Sequence, residues 1–489
     1  MKVAEAIAPV ISVDRKASDP LHKQIYDGFR TAIIRGNLRP GQRVPSSRAL
    51  AVELSLSRIP VLNAYAQLLA EGYFETRKGS GTFISEALPE SLTICNEKAP
   101  QRSAASGLRP VARRSLREPY ERPLWSGGWG AFGVHQPAFE RFPFAVWSSL
   151  IARHSRSPMV SAIHNIDPLG TLTFREAICD YLRTARAVRC EPHQVMIVSG
   201  SQQALELSAR VLLERENAIW FEDPGYRLAR RVFTGAGCRV VPVPVDQDGM
   251  IVSTAIERCP RARAAYVTPS HQYPLGSTMS AGRRMQLLNW AERAGSWIIE
   301  DDYDSEYRFE SAPIASLQGL DRNARVIYIG TFSKVLFPSL RLGYIVIPED
   351  LVDHFAAARL AMDIFPPYLY QEVITDFMRE GHFARHIRKM RLLYSERRTA
   401  LVENLREQIG PALQVHGSQA GMHLAVTLPK GFRDQDIALR AATKGLWLWP
   451  LSPSYIEKPP RQGLVLGFGN TPTEEMSAAV SQLRTHLRK

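Results

Sequence analysis

The sequence contains few cysteines and no long apolar run. Its five cysteines are an odd number and form no C-x-x-C pair, so neither a disulfide framework nor a zinc site of that type is indicated. No stretch approaches the roughly 18 apolar residues of a membrane-spanning helix. Acidic residues at Glu5 and Asp14 argue against a secretory signal. These absences predict a cytoplasmic protein with reduced thiols and no membrane partner.

The composition indicates a soluble protein with more than one domain. The chain has 489 residues, of which 45% are hydrophobic and 22% charged, and this length predicts two or three domains. The net charge is +13. Residues 1–125 hold 19 Lys and Arg against 12 Asp and Glu, an excess of 7. A basic N-terminal region predicts a polyanionic partner, with simple solubility as the alternative.

Apolar residues recur every four positions near the N-terminus, at Leu21, Ile25, Phe29 and Ile33. This period predicts an amphipathic helix that ends near Arg35-Gly36-Asn37. A second, short helix is predicted from the serines of P-S-S-R to about residue 54, and a third from about residue 58 to residue 70. Three helices with a tight turn before the third are typical of a helix-turn-helix, whose third helix enters the major groove.

Two β-prone runs within residues 73–84 flank a Gly-rich turn and predict a hairpin. Together with P-S-S-R, Ser57-Arg58 and the E-G-Y … R-x-G-S-G-T-F segment, residues 12–85 resemble the winged helix of the GntR family. The resemblance implies contact with double-stranded promoter DNA, for which the candidates are Ser46, Arg48, Ser57, Arg58, Arg77 and Lys78. For Arg48 and Arg58, solvated surface charges are the alternative. Ile59 departs from the polar residue usual at its position, so base preference is not transferable.

Residues 86–125 lose the apolar period and are rich in Pro, Ser, Ala and Arg. This composition predicts a mobile linker. From about residue 126 strand-like and helical patterns alternate, which predicts a mainly parallel α/β sheet with functional loops at the strand ends.

A lysine loop is the strongest chemical signal in this second region. Lys334 ends the sequence G-T-F-S-K, Arg341 follows, and Asp301 and Tyr303 end an upstream apolar run. Pyridoxal 5'-phosphate needs a lysine for its aldehyde, hydroxyls and an arginine for its phosphate, and an acid for its pyridinium nitrogen. A divalent metal in the acidic segment of residues 300–306 is the weaker alternative.

Residues 130–488 resemble the fold type I aminotransferases, through the lysine loop, D-P-x-G with F-R-E, E-G-H-F-A-R-H-I-R and L-G-F-G. The resemblance implies a large PLP-dependent domain over residues 126–489, with a small C-terminal α/β subdomain. The implied cofactor contacts are Ser201, Gln202, Tyr226, His271, Asp301, Tyr303, Thr331, Ser333, Lys334 and Arg341. A winged helix followed by this domain resembles the MocR-type GntR regulators.

Three departures from the aminotransferase pattern argue against efficient turnover. Tyr273 stands where those enzymes have an asparagine at the ring oxygen, and His271 is the candidate to replace it. A tyrosine that reaches the neighbouring subunit's phosphate is missing from His164-Asn165-Ile166-Asp167. The arginine that grips a substrate carboxylate has no counterpart in residues 449–455, and without it an amino acid would not be held for proton transfer.

The predicted function is therefore a dimeric transcriptional regulator that senses pyridoxal phosphate or its aldimine with an amine or amino acid. The alternative is a working aminotransferase that carries a DNA-binding domain. A third reading is that the basic N-terminus binds RNA or binds nucleic acid without sequence preference.

Overall fold

The computed structural model describes residues 11–77, 79–88, 123–156, 167–309, 314–417 and 419–487. The chain divides into two compact units, residues 1–110 and 111–489. Lys78, residues 164–166 and most of the predicted linker lie outside the described residues, so the predictions made for them stay predictions.

The N-terminal unit contains three helices followed by a hairpin. Helix α1 spans Leu21–Ile34, α2 spans Ser47–Glu53 and α3 spans Arg58–Ala70. Strands β1 (Phe74–Arg77) and β2 (Gly81–Ile84) are antiparallel. These bounds confirm the three predicted helices and the hairpin.

An aromatic cluster joins the helices of this unit to its hairpin. The rings of Phe29, Tyr65 and Phe74 meet edge to face with centroids 5.2 to 5.6 Å apart. Ser46 caps α2, because its Oγ accepts a hydrogen bond of 3.2 Å from the Ala49 amide. Loss of such a cap typically costs about 1 kcal/mol.

The C-terminal unit is built on an eight-stranded sheet of order β3-β10-β9-β8-β7-β4-β5-β6. Its strands are β3 Val195–Val198, β4 Ala218–Asp223, β5 Arg239–Asp246, β6 Gly249–Met250, β7 Ala264–Val267, β8 Trp297–Asp302, β9 Val326–Thr331 and β10 Gly343–Val346. The pairs among β4, β5, β7, β8 and β9 are parallel, whereas β10 is antiparallel to both its neighbours. The sheet is therefore mainly parallel, as predicted.

Helices cover this sheet and bury its strands on both faces. They are α4 Phe144–Arg156, α5 Leu172–Arg186, α6 Ser201–Leu212, α7 Arg227–Gly235, α8 Val252–Arg258, α9 Ala281–Ala294, α10 Leu317–Leu320, α11 Val352–Leu360 and α12 Tyr368–Arg379. Every residue of β3, β4, β7, β8, β9 and β10 is buried, which explains their continuous apolar runs. No helix in the described ranges has the length and apolar character needed to cross a membrane.

The small C-terminal subdomain has its own antiparallel sheet. After the 27-residue helix α13 (His382–Gln408) come β11 Gln414–His416, β12 His423–Thr427, α14 Asp434–Ala442, β13 Trp449–Pro450, β14 Gly463–Gly467 and α15 Thr473–His486. The strand order is β11-β12-β14-β13. The predicted α/β subdomain is confirmed.

A buried ion pair fixes the end of β8 to α5. Arg186 Nε lies 2.8 Å from Asp302 Oδ2, and the two side chains are 3% and 1% exposed. Arg186 also donates to Ser270 Oγ at 2.6 Å. These contacts hold Asp302 in place, next to the predicted site residue Asp301.

Replacing Arg186 by leucine should lower the free energy of unfolding by about 3 to 5 kcal/mol, because the buried Asp302 carboxylate loses its counter-charge. Urea denaturation of the full chain measures this loss. Arg183→Leu on the same helix is the matched control, since Arg183 is 44% exposed in its pair with Glu191 and should cost at most about 1 kcal/mol. Equal losses in the two variants would contradict the stabilising role assigned to the buried Arg186–Asp302 pair.

Candidate functional site

The loops at the carboxyl ends of the parallel strands enclose one cavity. Nine of the ten predicted cofactor contacts line it, namely Ser201, Gln202, Tyr226, Asp301, Tyr303, Thr331, Ser333, Lys334 and Arg341. The other lining residues are His135, Leu228, Tyr266, Thr268 and Tyr273. Convergence at this edge is expected for an open α/β sheet, but the role of each residue stays a prediction.

One side of the cavity is suited to an anion. Helix α6 begins at Ser201, with Gly200 (φ +85°) as its N-cap, so free amide groups and the helix dipole meet there. A Cβ at Gly200 would lie 3.3 Å from the Arg341 guanidinium. Arg341 Nη2 donates to the Ser199 carbonyl at 2.7 Å. A glycine at position 200 thus lets the guanidinium approach the helix end.

The hydroxyl-bearing residues Thr331 and Ser333 complete this side. The Ser333 amide donates to Thr331 Oγ1 at 3.2 Å, which fixes the turn after β9. The buried polar atoms Ser333 Oγ and Gln202 Nε2 have no hydrogen-bond partner among the described residues. Buried polar groups are nearly always satisfied, so both atoms are suited to bind a polar ligand.

Asp301 lies at the end of β8 and is 4% exposed. Its Oδ2 accepts a hydrogen bond of 2.8 Å from Tyr266, whereas Oδ1 has no partner in the described part of the chain. Burial raises the pKa of Asp301 to about 7, against the opposing effect of the Tyr266 hydrogen bond. A cation beside Oδ1 would favour the ionised carboxylate.

Lys334 lines the same cavity. Burial lowers its pKa to about 8, while Asp304 and Asp301 act in the opposite direction and Arg341 adds to the lowering. Near neutral pH a larger fraction of this amine is therefore uncharged than for an exposed lysine. An uncharged amine is the form that attacks a carbonyl group.

His271 is the one predicted cofactor contact outside the described lining of this cavity, and its contact with the cofactor stays a prediction. It is 1% exposed; its Nδ1 lies 3.0 Å from Asp304 Oδ2, and its backbone carbonyl accepts from Tyr303 Oη at 2.8 Å. Tyr273, two residues later, lines the cavity instead. The order of residues in the loop did not reveal which side chain turns inward.

The acidic segment considered for a metal has several separate partners. Glu300 accepts from the Leu317 and Gln318 amides, and Asp302 pairs with Arg186. Among the described residues, one group has metal-ligating side chains close together, which is His271, Asp304 and His423. The His271–Asp304 hydrogen bond already accounts for that pair.

Four further wall residues were missed by the sequence analysis: His135, Leu228, Tyr266 and Thr268. Thr268 directly follows β7 and could have been found from its strand-end position. Tyr266 lies inside that strand, and His135 comes from a loop before the sheet. The sequence around Tyr266 and around His135 contains no motif that predicts a site residue.

The cavity wall contains one arginine, Arg341, in the part of the chain that is described. A second cavity shares Tyr226, Leu228 and Tyr273 with the first. Arg227 and Arg231 line that neighbouring cavity and were not predicted.

In the N-terminal unit the predicted DNA contacts Ser46, Arg48, Ser57, Arg58 and Arg77 are exposed. Arg58 Nε donates to Ser47 Oγ at 3.2 Å. Arg77 pairs with Glu75 and Glu86 and lies 4.7 Å over the Phe83 ring, so its charge is partly compensated within the domain. These contacts with DNA stay predictions.

Known proteins resemble both units. Residues 21–84 match the family "Bacterial regulatory proteins, gntR family", and residues 149–480 match "Aminotransferase class I and II". The probable rhizopine catabolism regulatory protein MocR of Rhizobium meliloti is 38% identical over 97% of this chain and 95% of its own. The chain belongs to the MocR-type GntR regulators. This membership supports the regulator over the working aminotransferase.

Two further relatives of this MocR-type chain bear on its two units. The pyridoxine biosynthesis regulator PdxR of Corynebacterium glutamicum is 31% identical over 91% of both chains. The solved multiple substrate aminotransferase of Thermococcus profundus is 26% identical, covers 77% of this chain and 97% of its own, and has a TM-score of 0.71. The latter likeness confirms the fold type I architecture.

Carbon-13 dimethylation of the lysines should give a Lys334 methyl resonance that titrates near pH 8, because the cavity disfavours the ammonium. Lys23 is the internal control, since its pairing with Asp19 raises its pKa above the ordinary 10.5. Nuclear magnetic resonance titration of the full chain measures both. A pKa of Lys334 at or above that of Lys23 would contradict the lowering of the Lys334 pKa by burial.

Proposed function

We propose that the MocR-type chain binds pyridoxal 5'-phosphate on Lys334 and that the state of this site controls promoter binding by the winged helix. The observation that carries the proposal is the single cavity that joins Lys334, Asp301, the N-terminus of α6 and Arg341. The aminotransferase fold supports a cofactor of this kind, and the GntR match supports DNA as the partner.

The unpartnered atoms of the cavity fit this cofactor. Ser333 Oγ and Gln202 Nε2 lie on the side suited to a phosphate. Asp301 Oδ1 also lacks a partner among the described residues. One dianion and one protonated ring nitrogen would satisfy all three atoms, which is the pairing expected from charge-assisted hydrogen bonds.

Each residue would have a distinct task. When bound, the cofactor supplies an aldehyde and an electron-withdrawing ring. Lys334 Nζ, uncharged in a larger fraction than an exposed lysine, provides the amine for that aldehyde. Asp301 keeps the ring nitrogen protonated, and Tyr226 packs its ring at the start of α7 on the cavity wall.

Regulation requires that a ligand stabilise one arrangement of the protein more than another. An amine or amino acid that binds beside Lys334 would change the contacts of Tyr303 and Tyr273 in the cavity wall. We propose a homodimer as the DNA-bound form, since the aminotransferase fold builds its site at a subunit interface and palindromic promoter sites suit a two-fold protein. The relative named for pyridoxine biosynthesis supports a link to this cofactor.

Lys334→Ala should abolish the visible absorbance band of the lysine-bound cofactor, because no other amine is placed in the cavity wall among the described residues. Titration of the purified full chain with pyridoxal phosphate measures this. Lys444→Ala, at an exposed position after α14, should keep the band. A band that persists in Lys334→Ala would remove Lys334 from the mechanism.

Arg58→Ala should weaken promoter binding about tenfold or more, because Arg58 opens α3 and is exposed. Fluorescence anisotropy with a labelled promoter fragment measures the dissociation constant, and the cofactor spectrum should not change. Lys23→Ala removes one positive charge from α1 and serves as control. Equal affinity in Arg58→Ala and wild type would show that the recognition helix is misplaced. Binding with no preference among DNA fragments would favour the nonspecific alternative.

A further inference from the structure

His135 lines the cavity beside Lys334 and has a strained backbone. Its φ of +68° lies in the left-handed region that favours glycine. A non-glycine residue persists there only where the surrounding structure fixes it, and such positions cluster at ligand sites.

The chain on both sides of His135 is held by the C-terminal subdomain. Asn470 Nδ2 donates to the Gly130 carbonyl at 2.7 Å and to Gln136 Oε1 at 2.6 Å. The Phe132 amide donates to Thr471 Oγ1 at 3.2 Å. These bonds fix the turn, so the imidazole is kept at the cavity by its surroundings.

Aromatic rings set the orientation of the imidazole. It stacks on Tyr273, with centroids 5.5 Å apart and planes 28° apart, and meets Trp449 edge to face at 5.4 Å. Its Nε2 is sealed from solvent and has no hydrogen-bond partner within the described ranges. An unpaired buried nitrogen is costly, so a bound molecule is the expected partner.

The charges around His135 favour a neutral ring. Burial lowers its pKa well below 6.5, and Lys334, His423 and His271 act in the same direction. A neutral imidazole has one nitrogen with a free lone pair, which accepts a hydrogen bond from an amine or ammonium group.

The neighbouring cavity provides room for the rest of such a molecule. It borders the first cavity, with which it shares the wall residues Tyr226, Leu228 and Tyr273. Trp125 and Trp449 also line it. Flat indole and phenol faces bind apolar or aromatic groups well.

We propose that His135 binds the amino group of a primary-amine effector, whose apolar body lies between Trp125 and Trp449. The inference rests on the proposed function, because the cofactor site supplies the reason for an amine to enter. His135 would be a ligand-binding residue that selects amines, in addition to the residues that hold the cofactor.

The test uses the full chain loaded with pyridoxal phosphate and two probes, benzylamine and methylamine. Their apparent dissociation constants are read from the change in the cofactor spectrum. His135→Gly removes the imidazole and suits the left-handed backbone, so the fold should be kept. Ala324→Gly is the matched control, because Ala324 also has positive φ (+52°) but precedes β9, at the end of the sheet opposite Thr331.

His135→Gly should raise the constants of both amines about tenfold or more, as expected for loss of a hydrogen bond to a charged group. His135→Asn, which also tolerates positive φ, should give intermediate constants, and Ala324→Gly should match wild type. Benzylamine should bind wild type more tightly than methylamine.

If both His135 variants bind the two amines with the same apparent dissociation constants as wild type, the inference is overturned. Loss of cofactor loading in His135→Gly would also overturn it, because the imidazole would then serve the cofactor itself. If wild type loads cofactor but neither amine changes its spectrum, this inference alone fails. If wild type loads no cofactor, the proposed function fails first and this inference with it.

Discussion

The lowered basicity of the Lys334 amine is the constraint on which the site depends. Burial disfavours its charge, and the pKa falls to about 8 even though Asp304 and Asp301 oppose the fall. The same desolvation raises the pKa of Asp301 to about 7. A lysine and an acid that approach each other in basicity are typical of functional sites, and a cationic ring between them would restore the charge of the acid.

This electrostatic setting depends on how β8 and β9 end. The two strands are parallel neighbours, so Asp301 and Thr331 reach the same edge of the sheet. Arg186 holds Asp302, and the Leu317 and Gln318 amides hold Glu300. With both neighbours tied down, the Asp301 side chain is presented to the cavity on a rigid scaffold, which is what a precise binding site needs.

Local patterns predicted much of this architecture. The four-residue apolar period gave α1, and the Ser57-Arg58 pair marks the observed start of α3. The resemblance to the fold type I aminotransferases supplied the predicted cofactor contacts, and nine of them line one cavity at the carboxyl ends of the parallel strands.

The sequence could not show the contacts between segments that lie far apart along the chain. His271 pairs with Asp304 and accepts from Tyr303, and no local pattern specifies these partners. His135 lines the same cavity as Lys334 from a turn that Asn470 and Thr471 fix, and no local pattern specifies that placement. The pairing of Arg77 with Glu86 likewise depends on the path that the chain takes after β2.

The most direct test of the central claim is borohydride reduction of the cofactor-supplemented full chain, followed by mass spectrometry of its peptides. The account predicts a pyridoxyl group on Lys334, at about one per chain, because Lys334 is the one amine among the described residues that line the cavity. A protein that stays colourless and carries no pyridoxyl group, or one modified only at other lysines, would contradict it.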